Sequence, residues 1–228
     1  GAIDPRPAIL LEIQDGLADG LKARTLEMLA PVDDVFARAL CSWLRNPGEG
    51  DALMEGAYRA LSDREEVVDW YTSSLSNAGH ILPALKILSS AIERDRGYLL
   101  WYDRRVSLRM NYVMNRGRSA ASDLAVADEC LRDLDAALAM EPDVPSRLTQ
   151  VATLENIRHH LGAPDADEAL RRAMVACDRA AALSTSPSTA LWIRGQIRAN
   201  LLLRLRAEQK ETAEELGRCL ADLDAAAR

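Results

Sequence analysis

Lysine, phenylalanine and long apolar runs are scarce in this chain of 228 residues. It has three lysines against 25 arginines, and a single phenylalanine. Because strand-favouring residues are few and Ala and Leu dominate the apolar part, the composition favours helix. No stretch of eighteen apolar residues occurs, so we expect no segment to span a membrane. The preference for arginine is typical of a GC-rich genome and hints at a bacterial source.

Paired cysteines are absent as well. The four cysteines form no CxxC motif, and their spacing suits neither a zinc site nor a small disulfide scaffold. Each lies among Ala and Leu in a helical pattern, as a small buried hydrophobic residue does. We therefore predict four reduced, unpaired thiols, at Cys41, Cys130, Cys177 and Cys219.

Motifs of catalysis and cofactor binding are missing too. The chain has no Gly-x-Ser-x-Gly, no phosphate-binding Walker loop and no dinucleotide fingerprint. His159 lies one helical turn after Glu155, but two ligands do not make a metal site. The sequence therefore predicts a protein that is not an enzyme, with no catalytic residue, no metal and no cofactor.

The net charge of −7 disfavours attraction to nucleic acid or to an anionic membrane. Apolar residues make up 48% and charged residues 28%, an ordinary globular balance. The first residues, Gly1–Pro5, show no signal-peptide pattern. We expect a cytoplasmic protein. The alternative that an N-terminal targeting segment has been removed stays open.

Turn and breaker residues cut the chain into helix-length pieces, for example at Asn46–Gly50 and Glu141–Pro145. Between these breaks, apolar residues recur every three or four positions. Ser62–Glu65 is typical of a capping box, and Asp165 precedes a helix with Glu168 three residues on. The pattern predicts no strand, and helices over 7–29, 32–45, 51–61, 64–77, 80–94, 97–116, 120–141, 145–161, 166–184, 188–208 and 211–227.

An internal repeat is the strongest pattern in the sequence. Cys130–Ala137 returns as Cys219–Ala226, 89 residues later, with Cys, Leu, Asp, Leu, Asp, Ala and Ala at matching places. A unit of about 44–46 residues falls halfway, since Asn111 matches Asn156 at 45. Similarity at a fixed period is typical of a solenoid, in which stacked units bury a shared core.

The second helix of each unit ends with a small Ala and, five residues later, Pro, as from Ala137 to Pro142 and from Ala182 to Pro187. Trp101 and Trp192 lie early in first helices. In these features the chain resembles the tetratricopeptide repeat (TPR) family, although its unit is longer. Tyr98–Arg104 is faintly similar to prenyltransferase-alpha-type hairpins.

The resemblance implies an all-α fold, a right-handed stack of antiparallel helix hairpins. Residues 63–228 form one continuous solenoid domain in this interpretation, and residues 1–62 are N-terminal helices of irregular or capping type. We expect Ala137, Ala182 and Ala226 to be buried where the two helices of a hairpin cross, because a small side chain permits close approach.

In such a solenoid the first helices line the concave face. The stretch 97–116 has four arginines against one acidic residue, whereas 119–141 has one arginine against six acidic residues. The net charge of the chain is negative, although the first helices form a basic inner layer and the second helices an acidic outer layer. The arginines stand in pairs one turn apart, 89 residues from pair to pair. The candidate partner-binding residues are Arg105, Arg109, Arg194, Arg198, Tyr102, Asn111, Asn156 and Asn200.

Two explanations of the arginines stay open. They grip an acidic peptide or a C-terminal carboxylate in the groove, or they pair with aspartates of their own repeat, which recur in step with them. The favoured function is a scaffold or chaperone-like module that binds a protein or peptide partner. The alternatives are a self-associating subunit, a homo-oligomer whose groove is filled by its own helix at 211–227, and a helical subunit of an enzyme.

Overall fold

A computed structural model describes residues 19–32, 34–115, 120–207 and 213–227. These residues form eleven α-helices and no strand. The helices are α1 (Asp19–Leu29), α2 (Val35–Arg45), α3 (Pro47–Ala60), α4 (Glu65–Asn77), α5 (Ile81–Arg94), α6 (Leu99–Asn115), α7 (Ala120–Met140), α8 (Pro145–His160), α9 (Ala166–Leu183), α10 (Ser188–Ala207) and α11 (Ala213–Ala226).

The all-α prediction is confirmed, and every predicted helix has a counterpart. The largest difference lies at α3, which begins at Pro47 instead of residue 51. Proline suits the first turn of a helix because its missing N–H has no partner there in any case. The part of the first predicted helix before residue 19 lies outside the described residues.

The chain divides into two compact units, residues 1–101 and 102–228. In the first unit α2 pairs with α3 and α4 with α5, around a core that includes Phe36, Leu40, Met54 and Val67. A Cβ on Gly50 would lie 2.2 Å from Trp43 Cα, so only glycine lets α2 and α3 approach this closely. The predicted boundary between residues 62 and 63 rests on the repeat register and stays a prediction.

The second unit holds three consecutive hairpins, α6/α7, α8/α9 and α10/α11. Small residues dominate where their helices meet. One cluster joins Ala152, Ala173, Cys177 and Ile197 from the second and third hairpins. Another joins Val106, Cys130 and Leu134 of the first hairpin to Leu154 of α8. Neighbouring hairpins therefore share core residues, as a stacked-hairpin solenoid requires.

Predictions about individual alanines had mixed outcomes. Ala137 is fully buried, as expected, and Ala226 is half-buried. The prediction for Ala182 is wrong, because that residue is exposed and Ala180 is the buried one. The register slips by two residues within a run of three alanines, which offers no contrast in size. All four cysteines are buried and unpaired, as predicted.

The predicted capping box is also wrong. Helix α4 begins at Glu65 with Arg64 as its N-cap residue, so Ser62 lies too early to cap it. Asp165 does occupy the N-cap position of α9, but its carboxylate accepts hydrogen bonds from arginines instead of from backbone N–H groups.

Candidate binding groove on the first helices

The two predicted arginine pairs each converge on one buried aspartate of their own hairpin. Arg105 of α6 binds Asp133 of α7 through Nε (2.8 Å) and Nη2 (2.5 Å), and Arg109 donates to the same carboxylate. Arg194 of α10 binds Asp222 of α11 in the same way, through Nε (2.9 Å) and Nη2 (2.6 Å).

Arg198 donates to Asp222 as Arg109 does to Asp133. A third contact is also equivalent in the two hairpins. The Sγ atom of Cys130 lies beside the carbonyl oxygen of Val106, and that of Cys219 lies beside the carbonyl oxygen of Gly195. The 89-residue repeat is thus a repeat of contacts, in which two planar guanidinium forks enclose one carboxylate.

The middle hairpin has its own version of this cluster, built around Glu155, which is buried. Arg158 donates to Glu155 Oε2 at 2.8 Å, and Arg172 of α9 donates to its Oε1 at 2.5 Å. Both arginines also bind Asp165. Hydrogen bonding to Glu155 and Asp165 raises the pKa of the Arg172 guanidinium, despite the opposing effect of burial. The side chain therefore stays positively charged.

These clusters correspond to the second explanation of the arginine pairs, ion pairing within the repeat. In the first and last hairpins an aspartate of the second helix compensates the arginine pair of the first helix, whereas in the middle hairpin the acidic residue, Glu155, lies on the first helix. Burial of Asp133 and Asp222 requires such partners, since an unpaired carboxylate is costly away from water.

A groove lies across the first helices of all three hairpins. It has a cavity volume of about 380 Å³ and receives side chains from α6, α8 and α10. Its apolar lining comes from Val106, Met110, Leu154 and Ile193, and its polar lining from Ser107, Asn111, Thr149, Gln150, Thr153 and Thr189. No charged residue lines it among those that the structure describes.

Three hydroxyl groups of this groove are already committed as donors. Ser107 donates to the carbonyl of Asp103 at 2.9 Å, Thr149 to that of Ser146 at 2.7 Å, and Thr153 to that of Thr149 at 2.9 Å. The oxygen of each hydroxyl keeps free lone pairs, so these groups act as hydrogen-bond acceptors. Gln150 adds a buried Oε1 that has no hydrogen-bond partner within the described part of the chain.

The predicted site residues do not gather in one place. Asn111 lines the groove, and it alone of the eight does so. Asn200 hydrogen bonds to His160 Nε2 at 2.9 Å. Tyr102 is buried, with the Arg105 guanidinium 6.0 Å from its ring centroid. Asn156 is half-buried, and its Oδ1 has no partner among the described atoms.

Histidine and acidic residues were the only candidates for a metal site. His159 Nδ1 lies 3.0 Å from the carbonyl oxygen of Ala166, and the Glu155 carboxylate accepts hydrogen bonds from Arg158 and Arg172. In the ranges that the structure describes, no group of three or more His, Cys, Asp or Glu side chains is arranged to hold a metal ion.

Of the ten residues that line the groove, Asn111 was the one predicted, and the polar residues that were missed are Ser107, Thr149, Gln150, Thr153 and Thr189. They carry no charge and belong to no motif. Their one signal is that Thr149, Gln150 and Thr153 form a patch of uncharged polar residues on the first helix of the middle repeat.

Comparison with solved structures bears on the fold. MamA from Desulfovibrio magneticus RS-1 is similar at 14% identity and a TM-score of 0.56, over 88% of this chain and 95% of that one. A thermophilic TPR protein from Thermus thermophilus is similar at 14% identity and a TM-score of 0.50, over 91% and 100%. No protein-family model and no curated protein sequence matches the chain.

Within the described ranges, no helix is long and apolar enough to cross a membrane. At identities this low, similarity to solved structures speaks to architecture alone. The helix hairpins, their shared cores and these comparisons agree, and the chain has the fold of a TPR-like helical repeat protein.

Proposed function

We propose that residues 102–228 are a protein-interaction scaffold that binds an extended segment of a partner protein in the groove of α6, α8 and α10. The observation that carries this proposal is the groove itself, an open channel of about 380 Å³ that crosses three consecutive hairpins. Its combination of an apolar lining with a few convergent polar groups is typical of binding sites.

The chemistry of the lining favours an uncharged segment. The hydroxyl oxygens of Ser107, Thr149 and Thr153 keep lone pairs that can accept hydrogen bonds from a ligand. The backbone N–H groups of an extended peptide are donors that fit a row of acceptors. Met110 and Ile193 offer apolar contacts for its side chains.

That the partner is acidic stays a prediction. Binding an acidic partner through the arginines would cost more free energy than binding an uncharged one in the groove. For Arg105 or Arg194 to grip a ligand carboxylate, each has to exchange a buried aspartate for it. That exchange leaves Asp133 or Asp222 with fewer partners away from water, which is unfavourable. The neutral groove requires no such rearrangement.

Source and compartment are part of the same proposal. The arginine-rich, lysine-poor composition supports a bacterial protein. Four buried, unpaired cysteines support the reducing environment of the cytoplasm.

A peptide selection tests the groove. The full chain is used to select binders from a random peptide library, and affinities of the recovered peptides are measured by titration calorimetry. Replacing Thr153 with Trp fills the groove, and we expect binding to weaken by about tenfold or more. The control is Val175→Trp, on the exposed face of α9 and outside the groove.

Both variants have to keep the helical circular dichroism signal of the unmodified chain. Peptides that bind Thr153→Trp as tightly as the unmodified chain, or a selection that recovers no binder at all, contradict the proposal.

A second candidate function is self-association. The version in which the terminal helix fills the groove is not supported, because α11 packs along α10 as the second helix of the last hairpin and contributes no residue to the groove lining. Exposed apolar residues on the last hairpin favour a different version.

A further inference from the structure

Among its described residues, the last hairpin exposes three large apolar side chains. Trp192 of α10 is 52% exposed, and Leu216 and Leu220 of α11 are 44% and 53% exposed. The 89-residue repeat allows these residues to be compared with their counterparts in the first hairpin, α6/α7. That hairpin has the same internal contacts and is followed by a further hairpin.

In the first hairpin, the residues at the matching places are covered by α8. Asp103, which corresponds to Trp192, receives Arg147 Nε at 2.9 Å and Nη2 at 2.8 Å. Ala127, which corresponds to Leu216, is buried in a cluster with Leu154 of α8. Leu131, which corresponds to Leu220, packs half-buried against the same cluster.

The exposed surface of the last hairpin is therefore the surface on which a hairpin stacks elsewhere in this unit. We call the surface formed by Trp192, Leu216, Leu220 and Leu223 the terminal face. It is continuous with the stacking interface inside the unit, and no helix covers it among the residues that the structure describes.

The terminal face also differs from its counterpart at the two positions that bind arginines of α8 in the first hairpin. Within the two helices of the first hairpin, the acidic residues that bind arginines of α8 are Asp103 and Asp128. Their counterparts are Trp192 and Gly217, which carry no charge. A stacking partner that presented arginines like Arg147 would leave them unpaired, at an unfavourable desolvation cost. The surface therefore suits an apolar partner.

We propose that the occupant of the terminal face is the same face of a second copy of this chain, in a twofold-symmetric dimer. Leu216, Leu220 and Leu223 follow one another at spacings of four and three residues, the pattern by which helices pair along a seam. In a twofold pair each apolar face meets its own equivalent, and Glu215 beside the seam is paired with Arg218 of its own helix.

Two local features suit the close approach of a second copy. A Cβ on Gly217 would meet no atom within 4 Å, so space beside the leucine seam is open. Next to Trp192 lies a cavity of about 290 Å³ with Leu223, Ala226 and Ala227 in its walls. That cavity accepts a bulky side chain, which the Trp192 of the second copy supplies.

This inference goes beyond the proposed function, since Trp192, Leu216 and Leu220 do not line the groove. Multi-angle light scattering of the full chain, over a roughly hundredfold range of concentration, tests it. We expect twice the chain mass of 25.0 kDa at high concentration. The double variant Leu216→Glu/Leu220→Glu should remain at the mass of one chain.

The matched control is Val175→Glu, which changes a side chain that is 67% exposed on α9 and should leave the dimer intact. If the double variant loses helical signal, Leu220→Gln replaces it, and we expect its dimer dissociation constant to rise about tenfold or more. A single-chain mass at every concentration, a mass that grows without limit, or a dimer unaffected by these changes overturns the proposal.

Discussion

Gly195 of α10 lies directly under Leu223 of α11, so that a Cβ on Gly195 would be 2.7 Å from Leu223 Cδ2. The corresponding residue of the first hairpin is Val106, which means that the last hairpin is the closer packed of the two. Cys219 Sγ lies 3.4 Å from the Gly195 carbonyl oxygen, whereas Cys130 Sγ lies 3.9 Å from that of Val106.

Replacing Gly195 with Ala should destabilise the protein by about 1 kcal/mol, because the added methyl group displaces the Leu223 side chain from its place against α10. The control is Gly56→Ala in α3, where a Cβ meets nothing within 4 Å and alanine should stabilise the helix by about 0.5–1 kcal/mol. Urea unfolding measures both effects. Equal changes for the two variants would contradict the close packing.

The carboxylate of Asp133 is the shared acceptor of Arg105 and Arg109. Asp133→Asn removes the negative charge that these two partly exposed arginines share, so we expect a loss of about 3–5 kcal/mol in the free energy of unfolding.

The exposed pair Arg171–Glu168 provides the comparison, since Glu168→Gln should cost at most about 1 kcal/mol. Denaturant titrations of both variants provide the measurement. A small effect at Asp133 would show that the cluster is not a requirement of the fold.

Thiol reactivity reports on the cores of the second unit. Burial raises the pKa of Cys130 and of Cys177 to about 12, so almost no thiolate forms at neutral pH. In the folded protein we expect both to react with a disulfide reagent only as fast as the protein opens, and to react at once in denaturant. Mass spectrometry of the labelled peptides locates each modified thiol; fast labelling of Cys130 in the folded state would place it at the surface instead.

Asp34 is the N-cap residue of α2, and it accepts hydrogen bonds from Phe36 N (2.7 Å), Ala37 N (3.1 Å) and Arg64 Nη1 (2.9 Å). Burial acts to raise its pKa, but the bonds from Arg64 and the two backbone N–H groups lower it below the ordinary value of 3.8.

A lowered pKa stabilises the folded state at pH values above the unfolded pKa, and this contribution is lost as the pH falls through the folded value. Asp34→Ala should therefore cost about 1 kcal/mol at neutral pH, and the difference from the unmodified chain should shrink below about pH 4. Thermal melts at several pH values measure it, with the exposed Asp63→Ala as control. A difference that is constant with pH would contradict the role of the charge.

Sequence patterns predicted the helices well because breakers such as Glu141–Pro145 act locally. The repeat of Cys130–Ala137 as Cys219–Ala226 also had a direct structural meaning, since Asp133 and Asp222 hold equivalent arginine pairs. The competing explanations of those arginines could not be separated, because a repeated Arg and a repeated Asp fit both.

The groove was less predictable for a physical reason. It is formed by the faces of three helices that lie far apart in sequence, and Thr149, Gln150 and Thr153 are ordinary residues for a helix surface. Likewise, the exposure of Leu216 and Leu220 depends on what stacks on α11, which helical periodicity does not express.

The central claim is that the groove is uncharged and that the arginines near it are ion-paired with aspartates. The salt dependence of peptide affinity tests this claim. The affinity of a selected peptide is measured by calorimetry at low and at high sodium chloride. The account predicts a change of no more than about twofold, because screening acts on exposed charges and the groove lining has none. Selection of mainly acidic peptides, with affinities that fall by about tenfold or more in high salt, would contradict it and show that the arginines bind the partner directly.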